Sequence, residues 1–193
     1  MSDYYLIEPR AALESARKDA TRALDLDISD ADAHLAIGEV RRTLDWDWEG
    51  AEDAYRMALA ANPNSEGVHR YYGMFLAARG RREASSMADR GCDLDPLCLT
   101  VNTAAATVYY LKGDYESAVA RYQQVLGMDR AYLGARRGLA ASLVQLGRRD
   151  EAIATLSALP ETCQDPVTRA WLGHALAAYG NRAAAGRILM ELL

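Results

Sequence analysis

Small residues return along this chain with a fixed period, and that period limits the folds open to it more than any other feature. Gly80, Gly113, Gly147 and Gly180 stand 33, 34 and 33 residues apart, and Ala51, Ala84, Ala118, Ala152 and Ala185 stand 33, 34, 34 and 33 apart. A third column, four residues beyond the alanines, holds Tyr55, Ala88, Tyr122, Leu156 and Leu189; a fourth holds Gly38, Gly73, Ala106, Ala140 and Gly173. Four columns on one period describe a supersecondary unit repeated along the chain, in which each copy buries the apolar face of its neighbour.

Each column has a physical task. Two helices approach closely only where small side chains meet, so the two small columns mark the contact within a pair. The glycine column is the hinge, because glycine takes the left-handed conformation that closes a helix C-terminus without steric cost. The large apolar column fills the space between one pair and the next. Asn62-Pro63 and Asp95-Pro96 close two units, since proline cannot continue a helix. With half of the residues apolar and a quarter charged, the rest of the composition favours helix.

The spacing predicts paired helices over 31–45 and 48–61, 65–79 and 81–94, 99–112 and 114–127, 132–146 and 148–158, and 167–179 and 181–192. An unpaired helix over 10–25 precedes them, its Ala16, Ala20 and Ala23 matching the second-helix columns. The expected fold is all-α, a solenoid forming one array over 1–193. A half unit over 10–30 is followed by units over 31–65, 66–98, 99–132, 133–165 and 166–193.

Small, small and large columns on this period, with segments such as Gly113-Asp114-Tyr115-Glu116-Ser117-Ala118 and Gly147-Arg148-Arg149-Asp150-Glu151-Ala152, resemble the tetratricopeptide repeat family. The resemblance runs from about Ala11 onward and implies a right-handed superhelix. Three departures are local. Trp46-Asp47-Trp48 replaces the hinge glycine and adds a residue, the following unit is one residue short at its turn, and Arg130 replaces a terminal proline.

The stretch Asp45-Trp46-Asp47-Trp48-Glu49-Gly50-Ala51-Glu52, with Asn62-Pro63-Asn64 and Leu94-Asp95-Pro96-Leu97, is similar to a bacterial subgroup. There, such repeats form the C-terminal part of regulators with a winged-helix, kinase or nucleotide-cyclase domain upstream.

The family resemblance also implies where partners bind. First helices of successive pairs line a concave groove, which would here include Asp32, Leu35, Glu39, Arg42, Arg70, Met74, Thr100, Thr103, Thr107, Tyr110, Arg137, Val144, Gln145 and His174. Arg42, Arg70 and Arg137 would meet carboxylates or carbonyls of an extended peptide, with Tyr110 and Met74 giving apolar grip. The lysine and asparagine clamp by which some relatives hold chaperone tails is not recognisable. The function expected is a protein-binding module for a peptide or partner domain. The alternatives are the regulatory part of a larger bacterial regulator, or a homo-oligomerisation scaffold.

Charge and motif content narrow the classes further. A formal net charge of −5 argues against nucleic acid as a direct partner. The cationic residues are 20 arginines and two lysines, Lys18 and Lys112. No apolar run reaches membrane-span length, and Cys92, Cys98 and Cys163 form no C-x-x-C pair, which fits a reducing cytoplasm. No phosphate-cradling glycine loop, H-E-x-x-H or G-x-S-x-G motif is present, so neither an enzyme nor a cofactor is expected. His34 and His69 occupy the same place in successive units, as structural side chains or as a metal bridge. Trp46 and Trp48 either cover the first helix pair or form an exposed contact patch.

Both ends read as unfinished. Tyr4, Tyr5, Leu6 and Ile7 precede Pro9 where a first helix would end. Ala185, Ile188, Leu189 and Leu192 form a stripe expected to be buried, with Met190 and Leu193 left for a further neighbour. A longer parent chain, or a homodimer through terminal helices, would cover them.

Overall fold

The computed structural model describes residues 9–158 and 165–192; the expectations for Tyr4, Tyr5, Leu6, Ile7, Cys163 and Leu193 concern residues outside these segments. The described residues form eleven α-helices and no strand. They divide into two compact units, with the division between Asp95 and Pro96.

The first unit holds α1 (Pro9–Leu26), α2 (Ala31–Val40), α3 (Trp48–Ala61), α4 (Glu66–Ala78) and α5 (Ala84–Leu94). The lone helix α1 packs on α2, α2 pairs with α3 and α4 pairs with α5, while α4 also touches α2 and α3. Side-chain oxygens of Asp30, Asp47 and Ser65 cap the N-termini of α2, α3 and α4, satisfying backbone donors that a first turn leaves unpaired. Gly73 shows why its column is small. A Cβ there would lie 3.4 Å from the backbone nitrogen of Ala88 and 3.6 Å from the carbonyl oxygen of Ala84, so α4 and α5 touch almost backbone to backbone. Beside this contact Tyr55, Tyr72 and Phe75 form an aromatic cluster, with ring centroids 5.0–6.3 Å apart.

The second unit holds α6 (Leu99–Leu111), α7 (Tyr115–Met128), α8 (Leu133–Gln145), α9 (Arg149–Ser157), α10 (Pro166–Ala178) and α11 (Arg182–Leu192). Its pairs are α6 with α7, α8 with α9 and α10 with α11, and α8 also touches α6, α7 and α10. Ala106, Ala118, Val119, Tyr122, Val125, Leu139 and Leu143 make its main core, and Ala140, Leu156 and Ala175 continue it toward α10.

Every hinge glycine has the conformation its place requires. Gly80, Gly113, Gly147 and Gly180 have φ of 66°, 80°, 72° and 83°. Trp46 stands at the equivalent place with φ 58° and is the single non-glycine residue with positive φ among those described. Its segment is one residue longer: eight residues separate Gly38 from Trp46, whereas seven separate Gly73 from Gly80. Arg41–Asp45, at the end of α2, absorbs the extra residue as a π-helical turn, the local widening by which a helix takes in one residue without losing register. The opposite irregularity, the short turn after Gly80, delays α5 to Ala84 rather than the expected 81, and Glu83 at its N-terminus makes no side-chain cap.

α11 departs from expectation. None of its residues is fully buried, and Leu189 is 58% exposed where Tyr55, Tyr122 and Leu156 of the same column are at most 2% exposed. The earlier members are covered by the first helix of the next pair; Leu189 has no such neighbour among the described residues.

Candidate functional site

The residues expected to bind a partner lie on the first helices, on α2 and α4 in one unit and on α6, α8 and α10 in the other.

On α2 and the turn after it, Asp32 is exposed, whereas Glu39 and Arg42 are half-buried and bound to one another. Arg42 donates Nη2–H to Glu39 at 2.7 Å and Nε–H at 3.2 Å, and the Tyr55 hydroxyl donates to the same carboxylate. Hydrogen bonding to Glu39 raises the pKa of Arg42, and burial followed by the Glu39 charge raises that of Tyr55. Arg42 is therefore spent internally, holding the carboxylate that Tyr55 needs. On α4 the guanidinium of Arg70 lies 3.9 Å from the ring centroid of Tyr71 and has no ion pair among the described residues. Met74, one turn on, is half-buried, and Leu35 lies within 3.8 Å of where a Cβ on Gly67 would stand. Leu35, Arg70, Tyr71 and Met74 thus combine aliphatic, aromatic and cationic surface on neighbouring helices.

In the second unit the polar side chains are largely engaged. Thr107 donates to the carbonyl of Thr103 at 2.9 Å, so the Tyr122 hydroxyl, also 2.9 Å away, must donate to Thr107. Burial pushes Tyr122 up to about 12. The Thr103 hydroxyl is buried with no hydrogen-bond partner among the described residues. Tyr110 tilts over Tyr115 with centroids 5.4 Å apart. Arg137 donates to Asp165 at 2.9 Å and lies 3.4 Å from the Thr168 hydroxyl, tying α8 to the start of α10. Val144 is half-buried and packs against the core near Leu156. Thr100, Gln145 and His174 are exposed, and His174 sits edge-on to Trp171.

One column was missed in the sequence. His34 bonds through Nε2 to the carbonyl of Ile28 and His69 to that of Pro63, each at 2.8 Å. Asn102 donates to the carbonyl of Pro96 at 3.1 Å and Arg136 to that of Arg130 at 2.9 Å. All four reach six residues back, pinning the preceding linker to the helix that follows. A carbonyl only accepts, so both histidines carry their proton on Nε2. The histidines were visible as a repeated pair, but Asn102 and Arg136 hid because residue type changes while the donor role persists.

The two tryptophans part company. Trp48 packs on Phe75 with centroids 5.8 Å apart, and Trp46 is 72% exposed. Among the described residues no helix is long and apolar enough to cross a membrane.

A family model described as tetratricopeptide repeat matches residues 109–171. That segment carries tetratricopeptide repeats. Solved repeat structures share the fold beyond that segment. PilW, described as a widely conserved type IV pilus biogenesis factor, is 21% identical with a TM-score of 0.77 over 93% of this chain and 84% of its own. A thermophilic tetratricopeptide repeat protein from Thermus thermophilus is 22% identical, TM-score 0.69, over 86% of this chain and 91% of its own. YrrB, described as having an unusual peptide-binding site, is 19% identical, TM-score 0.57, over 90% of each chain. Identities this low speak for the repeat fold alone. No curated protein matches the sequence.

Proposed function

We propose that this repeat protein is a protein-binding module that holds a peptide or partner domain on its first-helix faces and carries out no chemistry of its own. The observation that carries the reading is Arg70, stacked on Tyr71 without a carboxylate partner among the described residues, with Met74 one turn away. Arginine, tyrosine and methionine recur at interface hot spots because they combine large contact area with hydrogen-bonding or adaptable ends. Arg42 and Arg137, which already satisfy Glu39 and Asp165, serve as frame. The test is selection of peptides from a random library on the whole chain, followed by affinity measurement on Arg70→Ala and Met74→Ala. Each is expected to weaken binding at least about tenfold with an unchanged helical circular dichroism spectrum. Selected peptides that bind both variants as well as the parent would overturn the reading.

A second reading, self-association, is favoured by the C-terminal pair. A cleft of about 370 Å³ lined by Gly173, Ala177, Ala185, Ile188 and Leu189 stays open there. If a second copy covers it, light scattering shows a mass that rises with concentration, and Leu189→Glu returns it to the monomer value. A mass that stays at 21.1 kDa at all concentrations removes this reading.

A further inference from the structure

A different part of the first unit holds a buried charge that the binding reading leaves unused. Glu52 on α3 is 8% exposed, in a column otherwise filled by Ser85, Val119, Ile153 and Gly186. Its equivalent in the second unit, Val119, is buried as an ordinary core side chain. Desolvating a carboxylate is costly, and well-packed apolar residues commonly replace buried ion pairs without loss of stability. Stability alone therefore does not account for Glu52.

Two arginines converge on it. Arg56, one turn further along α3, donates to one oxygen of the Glu52 carboxylate and lies 3.5 Å from exposed Asp53, and Arg81, between the hinge Gly80 and α5, lies 3.6 Å from the other Glu52 oxygen. Their side chains remain 59% and 49% exposed, so the guanidiniums, not the carboxylate, meet solvent. Arg56 also neighbours the hydroxyl of Tyr72. These groups stand over an open cleft of about 480 Å³ whose apolar wall is Leu59, Leu76 and Met87, and which Glu83 also lines. The volume is that of a small-molecule or side-chain site. Tyr72 and Leu76 are two positions along α4 from Arg70 and Met74, so they project from the opposite side of that helix.

We infer that the cleft between α3 and α5 binds a carboxylate attached to an apolar group: the carboxylate bridges Arg56 and Arg81, and the apolar group lies on Leu59, Leu76 and Met87. Glu52 is a positioning residue, holding from beneath the two guanidiniums that the ligand meets from above. A free small carboxylic acid and the C-terminus of an apolar peptide offer the same chemistry.

The test is titration of the full-length, nitrogen-15-labelled chain with sodium octanoate, octylamine, and the peptide acetyl-Ala-Leu-Leu as free acid and as amide. Saturable shifts at Arg81, Leu76 and Met87 with octanoate or the peptide acid, and not with the amine or amide, are expected; the tighter of the two acids identifies the source. Arg81→Met should weaken binding at least about tenfold. Glu52→Val should do the same while leaving the melting temperature unchanged or higher, which separates positioning from a structural brace. Equal binding of peptide acid and amide, preference for octylamine, no saturable shift with any probe, or undiminished binding by Arg81→Met would overturn the inference. So would a Glu52→Val chain that melts lower and binds normally.

Discussion

Gly127 and Gly138 are both helical glycines, and their surroundings give them opposite roles. A Cβ on Gly127 in α7 meets nothing within 4 Å, so Gly127→Ala should stabilise the protein by about 0.5–1 kcal/mol through helix propensity. A Cβ on Gly138 in α8 would overlap the ring of Tyr122, which is buried and whose hydroxyl is held by Thr107. Gly138→Ala should therefore cost about 1–3 kcal/mol despite the same propensity gain. Urea denaturation of the two variants checks both signs. Tyr122 also carries a pH dependence. Its folded pKa is raised to about 12 from 10.0, so its stabilising contribution is complete below pH 10 and disappears as pH rises toward 12. The loss is on the order of 2–3 kcal/mol, and Tyr122→Phe, which has no ionisable group there, should lessen the fall measured between pH 9 and 12, while Tyr55, which burial also raises, keeps its share.

At the scale of elements, hinge geometry and helix contact carry the fold. Trp46 occupies a glycine's place in left-handed conformation while its side chain points largely into solvent. Trp46→Gly should relieve about 1 kcal/mol of backbone strain with little packing lost, seen as a higher urea midpoint at unchanged slope. The π-helical turn before it belongs to the same adjustment, since one inserted residue has to be taken up before the hinge is reached. Within a pair, Ala118 is completely buried in the α6–α7 contact. Ala118→Leu should overpack that contact and cost about 1–3 kcal/mol; an unaltered unfolding midpoint would mean that the small columns do not set the helix distance.

At the scale of the whole molecule, two units with separate cores follow one another along the chain. Stability in such arrays is close to a sum of local and nearest-neighbour terms, so residues 96–193 alone should show helical circular dichroism and a cooperative thermal transition. A featureless melt would mean that the second unit depends on the first. The helices themselves, the hinges and the pairing were legible in the sequence, with most boundaries within one or two residues, because period and backbone preference are local properties that composition cannot disguise. The carbonyl-clamping column was only half legible, through His34 and His69, since a shared hydrogen-bonding role left no shared letter at Asn102 and Arg136. The placing of the candidate side chains on the first helices was legible, and their engagement was not. Which arginine is engaged depends on acceptors such as Glu39 for Arg42, or Asp165 for Arg137, 28 residues away. The sequence by itself determined the repeat, because a 33- or 34-residue period needs no knowledge of neighbours. Only the tertiary structure decided that Glu52 is buried under two arginines and that Leu189 stays uncovered, because burial is a property of what packs alongside.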